Sequence, residues 1–270
     1  MLLVLTREGQ LCNQLFTLAH AYAIGLEYND DVKCPVMDDT LKKYFAFKRK
    51  DQKGIEINMY ESFKWKILVE IVKIYKRILN IKSVRKYNTN VTSKQTQIFF
   101  EFSSFSDASI VAKHKTEIIT YFGFKKYIKE KCERLVQAHR VDHKVLVGVH
   151  IRRGDYRTFR GGEWFYDDLH YCNWMSELSS KKNVRFLLFS NEKLDVDLYL
   201  KKGLDVVIMQ GSAVEDLCCM SLCDYIMGPP STYSSWASLY GNKERLVLVE
   251  AERKYTWDDF CSWDTYYGIK

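Results

Sequence analysis

Seven residues of mostly β-branched, apolar character, Val145 to Ile151, run directly into charge in the stretch VLVGVHIRRGDYR, which carries His150, Arg152, Arg153 and Asp155. Two guanidiniums that never lose their charge, each offering a planar fork of donors, match the paired oxygens of a phosphate or pyrophosphate. A carboxylate two positions after the second arginine suits a group that holds a guanidinium in register. Adjacent arginines after a strand also form surface corners, so this motif alone does not define a site.

Two further segments add to it. In GPPSTYSSWASLYG the hydroxyls of Ser231, Thr232, Ser234 and Ser235 fall where a loop becomes a helix. Such an N-terminus presents free N–H groups and a favourable dipole to anions, whereas capping needs only one hydroxyl. In EGQLCNQLF, Gly9 permits a tight turn and Asn13 and Gln14 open the next helix, where they either face a cleft between two halves or, in the case of Asn13, cap the helix. The Gly-rich phosphate cradles GxGxxG and GxxxxGK[ST] do not occur, which leaves the arginines to do that work.

These residues need a scaffold, and the second half of the chain supplies a regular one. VLVGVHI, VRFLLFS, DVVIMQ, DYIMG and RLVLVE are short apolar runs that alternate with amphipathic stretches, including YDDLHYCNWMSELSS and SAVEDLCCMSLC. That alternation predicts βαβ units and a parallel sheet with helices on both faces. Ligands of such sheets bind beyond the carboxyl ends of the strands, where His150, Arg152 and Arg153 fall. The first half opens in the same way, LLVLT followed by a helical CNQLFTLAHAYAIGLEY, and turns irregular and helix-rich after Asp31. The polar break RVDHK places the domain boundary near Asp142, with an N-terminal domain over 1–142 and a C-terminal domain over 143–270.

With 270 residues, 47% of them hydrophobic and 28% charged, the chain has the composition of an α/β protein with a packed core. Three prolines and no Ser/Gly-rich tract argue against a flexible linker. The opening MLLVLT reads as a strand rather than a signal peptide or anchor, and eight cysteines without paired CxxC spacing read as buried thiols rather than zinc ligands or disulfides. Leu41 to Lys86 carries 14 basic against four acidic residues. The stretch at 63–82, FKWKILVEIVKIYKRILNIK, reads either as a core-packed helix with a basic edge or as a helix resting on an anionic membrane face. No recognisable nucleic-acid-binding module accompanies it.

Taken together and in this order, GQLCNQLF, HIRRGDY and STYSSWASL resemble the motifs of the glycosyltransferase family 11 α-1,2-fucosyltransferases, over residues 9 to 241. The HxRRxD element is shared with α-1,6- and protein-O-fucosyltransferases. The resemblance implies a GT-B-like fold of two Rossmann-type halves facing a cleft. It also implies GDP-β-L-fucose in the C-terminal half and inverting transfer, with no metal or other cofactor, to a glycan hydroxyl such as the 2-OH of a terminal galactose. Carried over by position, Arg152 neutralises the leaving pyrophosphate with Arg153 in support, His150 contacts the nucleotide and Asp155 orients the arginines. Ser234 or Ser235 binds phosphate, Asp216 reads guanine, and Asn13, Gln14, Ser190, Ser231 and Thr232 complete the donor side.

Two departures stand out: Cys12 where the family has glycine, and Asn191-Glu192 where it has an acidic pair. Asp155, Glu163, Asp167, Asp168 and the leaving phosphate itself are all open as the acceptor's base. The acceptor expected is an oligosaccharide or lipid-linked glycan, at the cytoplasmic face of a membrane. Rival readings are another GDP-sugar or fucosyl linkage, and a non-catalytic carbohydrate-binding protein built on Trp164, Trp174, Trp236, Trp257 and Trp263, whose apolar-periodic positions favour core packing instead. Asp195-Val-Asp197 spells a DxD metal signature, but it opens a predicted helix, where acids favour the N-terminus.

Overall fold

The computed structural model describes residues 2–4, 9–34, 39–46, 67, 70, 71, 74, 75, 97–99 and 108–269. They divide into two compact units, Met1–Lys125 and Lys126–Gly268. The helix Lys126–His139 therefore belongs with the second unit, ahead of the break that the sequence shows near Asp142. The reason is local: Arg140, just past its end, pairs with Asp224 at 3.0 Å, and Asp224 also accepts the Leu146 N–H at 2.9 Å. Cys132, on the buried side of that helix, donates to the Glu215 carbonyl at 3.5 Å.

In the first unit β1 (Leu2–Val4) lies between β2 (Val32–Lys33) and β3 (Gln97–Phe99), all parallel. The long helix Leu11–Tyr28 is buried along most of its length, its apolar residues too numerous for a single stripe. Against it pack Tyr121, stacked on Tyr22 at 4.4 Å, and Phe122, edge-on to Tyr22 at 5.8 Å. Of the stretch 63–82, residues 67, 70, 71, 74 and 75 are described and helical, and the remainder lies outside the described residues. Ile67, Ile71, Ile74 and Tyr75, spaced by four, three and one, are 43–58% exposed.

The second unit holds a five-stranded parallel sheet in the order β6-β5-β4-β7-β8: β4 is Val145–Ile151, β5 Val184–Ser190, β6 Val206–Ile208, β7 Tyr225–Gly228 and β8 Glu244–Val247. The chain winds outward from β4 through β5 and β6, then crosses back to β7 and β8. β4 and β5 are buried on both faces, which explains their near-continuous apolar sequence. Helices Asp168–Ser179, Val196–Lys201, Ala213–Ser221 and Thr232–Gly241 connect the strands. Each starts at a polar cap, Asp167, Asp195, Ser212 and Ser231 respectively, whose side chain accepts a backbone N–H of the first turn. Asp195 thus takes the Asp197 N–H at 3.2 Å, so the DxD signature is a helix start here. All the second-half elements read from hydrophobic periodicity are present.

Candidate functional site

The reversal of strand order at β4 opens a crevice at the carboxyl edge of the sheet. A cavity of about 260 Å³ occupies it, lined by His150, Arg152, Phe189, Ser190, Asn191, Gly211, Ala213, Asp216 and Tyr233. Four consecutive strand-to-helix loops contribute, those after β4, β5, β6 and β7.

His150, the penultimate residue of β4, is 4% exposed and packs against the Tyr233 ring at 5.0 Å. Burial, aided by the charges of Arg152 and Arg245, lowers its pKa to about 3, so the imidazole is neutral. Its Nδ1 has no partner among the described residues. The approach of β7 that closes this corner requires glycine: a Cβ on Gly228 would stand 2.7 Å from the His150 carbonyl oxygen.

Alternation along an extended chain sends successive side chains to opposite sides, and it separates the two arginines. Arg152 turns with His150 to the cavity. Its guanidinium contacts both Asp155 oxygens, at 2.9 and 3.0 Å, and lies 5.6 Å from the Tyr156 ring centre. Arg153 turns the other way and is 7% exposed. It donates to Asp168 at 2.6 Å, and Asp168 accepts the Tyr199 hydroxyl as well. The Arg153 backbone N–H is held by Asn191 at 2.9 Å, and the next, of Gly154, by Glu192 at 3.0 Å. Arg153 therefore anchors the loop from below and does not join Arg152 at the cavity. Asp155 contacts Arg152 and not Arg153, and a single Asp168 oxygen takes both Arg153 and the Tyr199 hydroxyl. Asp167 is likewise engaged, by the backbone and ring of His170 at 3.0 and 2.7 Å.

Asp216 lies in the first turn of Ala213–Ser221 and faces the cavity, one oxygen accepting the Gly211 N–H at 3.0 Å. Burial raises its pKa to about 6 against the pull of that amide. The other oxygen is available to a ligand donor pair. Ser190 ends β5 and accepts the Glu192 N–H at 3.1 Å.

The hydroxyl cluster divides in the same way as the arginines. Ser231 is a cap, accepting the Tyr233 N–H at 3.2 Å, and Thr232 begins the helix. Ser234 and Ser235, expected to hold phosphate, are buried and point into the protein. Ser234 meets the Ser231 carbonyl and Arg245, each at 3.4 Å, and Ser235 meets Tyr267 at 3.2 Å and the Trp263 indole at 3.1 Å. A helix shows opposite faces at Thr232–Tyr233 and Ser234–Ser235, and the core takes the second pair. Tyr233, passed over in a motif read for its hydroxyls, is the residue that lines the cavity.

In the first unit Gln14 is 5% exposed and folds back to donate to the Gly9 carbonyl at 3.2 Å, closing the turn. Asn13 is in the first helical turn, while Gln10 occupies the cap position without a side-chain hydrogen bond. Trp236, Trp263 and Trp174 are at most 4% exposed and belong to the core. Asn191 and Glu192, legible in the sequence only as a departure from the family's acidic pair, hold the loop after β4, and Gly211, which no motif marks, lines the cavity; all three follow strand ends, the zone that the carboxyl-edge rule indicates.

The same fold recurs in solved structures of low identity. Fucosyltransferase NodZ from Bradyrhizobium is 14% identical with a TM-score of 0.64, over 93% of this chain and 96% of that one. A mutant of Arabidopsis thaliana FUT1 in complex with GDP is 12% identical with a TM-score of 0.58, over 97% and 73%. POFUT1 in complex with GDP-fucose is 10% identical with a TM-score of 0.57, over 90% and 94%. Among curated proteins no sequence matches. This likeness is one of fold, α/β and GT-B-like as the sequence implied. The family itself is settled by sequence: the model of glycosyl transferase family 11 matches residues 2–259, nearly the whole chain, and the protein belongs to that family.

Proposed function

We propose that the protein is an inverting, metal-independent fucosyltransferase that moves L-fucose from GDP-β-L-fucose to a glycan hydroxyl, the 2-OH of a terminal galactose being the first choice. The observation that carries this reading is the carboxyl-edge cavity in which one fixed guanidinium, one neutral imidazole and one half-satisfied carboxylate converge. Fold neighbours crystallised with GDP or GDP-fucose support it, as does the family match.

In this reading the Asp216 oxygen not held by Gly211 accepts the paired donors of guanine, and its negative charge strengthens those hydrogen bonds beyond what a neutral carbonyl would give. Tyr233 and His150 flank the nucleotide. Arg152, preorganised by Asp155 and the Tyr156 ring, faces the diphosphate. As the glycosidic bond to fucose breaks, its electron pair stays on the β-phosphate oxygen, and Arg152 stabilises that growing negative charge. The acceptor hydroxyl attacks the anomeric carbon from the opposite side. Its proton goes to a base drawn from Glu163, a released Asp155 or the departing phosphate.

The acceptor is an oligosaccharide or a lipid-linked glycan at the cytoplasmic face of a membrane. The exposed Ile67, Ile71, Ile74 and Tyr75, within Leu41–Lys86 and its ten excess positive charges, favour membrane contact by residues 63–82 over core packing. Co-sedimentation with anionic vesicles and not with neutral ones tests that part.

The central test is calorimetric titration with GDP, GDP-fucose, GDP-mannose and UDP-galactose, with and without chelator. Selective GDP-fucose binding that survives chelation is expected. Glycan binding without affinity for any GDP species would replace the transferase by a carbohydrate-binding protein.

A further inference from the structure

A second arginine of the C-terminal unit is more deeply buried than Arg152 and has no part in the scheme above. Arg245, in β8, is 3% exposed. Among the described residues no carboxylate pairs with it; Tyr266, Tyr267 and Cys261 are among its neighbours. Its guanidinium lies 4.9 Å from the Tyr266 ring centre and donates to the Ser231 carbonyl at 3.3 Å and the Ser234 hydroxyl at 3.4 Å. The strand backbone around it is pinned by reciprocal hydrogen bonds with Cys261, at 2.8 and 3.2 Å.

A buried cation without a counter-charge is costly. Neutral acceptors and an aromatic face reduce that cost without cancelling the charge, so its field extends to the surroundings. Those surroundings are the loop between β7 and helix Thr232–Gly241. The loop is gripped from two sides: Tyr156 donates to the Pro230 carbonyl at 2.6 Å, and Arg245 holds the next carbonyl, that of Ser231. Tyr156 is the ring beside Arg152. Arg152, Tyr156, Pro230, Ser231 and Arg245 thus form one continuous chain of contacts. Its far end sets the first turn of the helix from which Tyr233 reaches His150.

We propose that Arg245 is a positioning residue for the donor diphosphate: it fixes the Ser231 turn beside the cavity and adds a buried positive charge behind the helix N-terminus. The proposal rests on the GDP-sugar reading above. Arg245 does not touch the donor; it acts through the backbone of Ser231 to Tyr233 and through its field, which is strongest where water is excluded. The missing counter-ion is then the diphosphate itself.

The test compares ligands that differ only in phosphate. GDP, GMP and guanosine are titrated into the full-length wild type, Arg245→Met and Arg245→Lys, with thermal unfolding recorded for each. The methionine variant, which keeps volume and loses charge, is expected to bind GDP about tenfold more weakly while guanosine affinity changes less than about twofold, and lysine is expected to recover most of the loss. A parallel loss for GDP and guanosine, or no loss for either, overturns the proposal. If the methionine variant does not fold, the wild type decides: the Arg245 side-chain ¹⁵N resonances must shift on adding GDP and stay in place on adding guanosine, and unchanged resonances with bound GDP overturn it. A wild type that binds no GDP fails first and in a different way, removing the donor reading and the Arg245 proposal with it.

Discussion

Arg152 and Arg153 are the same residue one position apart, and their surroundings assign them different work. Arg152 is presented to the cavity by an acid and an aromatic ring, whereas Arg153 is buried against Asp168. Their alanine variants are therefore expected to fail differently. Arg152→Ala should retain its unfolding midpoint and most of its donor affinity while turnover falls about 100-fold or more, the range seen when a preorganised charge-stabilising donor is removed. Arg153→Ala leaves Asp168 partly buried without its cation and should lose roughly 2–4 kcal/mol in urea unfolding. Equal loss of stability in both would contradict the division. Asp216 makes a second residue-level prediction through pH. Its carboxyl, raised to about 6 by burial, must shed a proton before it can accept guanine donors. GDP affinity should decline as pH falls below about 6, by up to about tenfold per unit, and Asp216→Asn should abolish that dependence. The same shift has the opposite sign for stability. Because the unfolded carboxyl ionises first, the Asp216 contribution falls as pH rises from about 4 to about 6.

Among the elements, the central strand pair sets the geometry. β4 is flanked by β5 along all seven of its residues and by β7 along three, from Val147 to Val149. Beyond that ladder the chains still approach closely, and Gly228 makes the approach possible. Gly228→Ala places a methyl group 2.7 Å from the His150 carbonyl oxygen and 2.9 Å from its Cβ. Neither atom is at the end of a flexible side chain, so β7 or the end of β4 must move. A cost of about 1–3 kcal/mol is expected from overpacking, together with weaker GDP binding as His150 and Tyr233 separate. Chemical denaturation and GDP titration read the two effects. Wild-type affinity in a destabilised variant would show that the His150 corner does not contribute to the donor site.

At the scale of the whole molecule, the second unit has its own sheet and its own hydrophobic core, centred on Phe186, Tyr171, Tyr199 and Tyr255. The helix Lys126–His139 is part of that unit through Lys131 with Glu215, Cys132 with the Glu215 carbonyl, and Arg140 with Asp224. A fragment of residues 126–270 is accordingly expected to unfold cooperatively. One of residues 143–270 should be less stable by several degrees in thermal unfolding, because Asp224 then loses the guanidinium that lowers its pKa and the faces of Ala213–Ser221 near Cys132 meet water. Equal midpoints would place the helix outside the cooperative unit.

The sequence by itself determined the sheet. Apolar runs of four to seven residues separated by amphipathic ones specify strands buried on both faces and their helices, because hydrophobic periodicity is a local property that neighbours along the chain fix. It also determined the zone of the site, since in a parallel sheet the carboxyl ends share one edge, and His150, Arg152, Ser190 and Asp216 all lie there. What it did not determine is which member of each adjacent pair faces the ligand. Arg153 went to Asp168, and Ser234 and Ser235 went to Arg245, Trp263 and Tyr267. Those partners are 11 to 32 positions away along the chain, and no pattern in the segment itself encodes them. Arg245 was illegible for the same reason: within RLVLVE it reads as a strand residue, and only the packing of β8 beneath the Ser231 turn makes its charge count. Tertiary structure decided these assignments because burial is not a property of a residue type. It is settled by what the rest of the fold brings to each side.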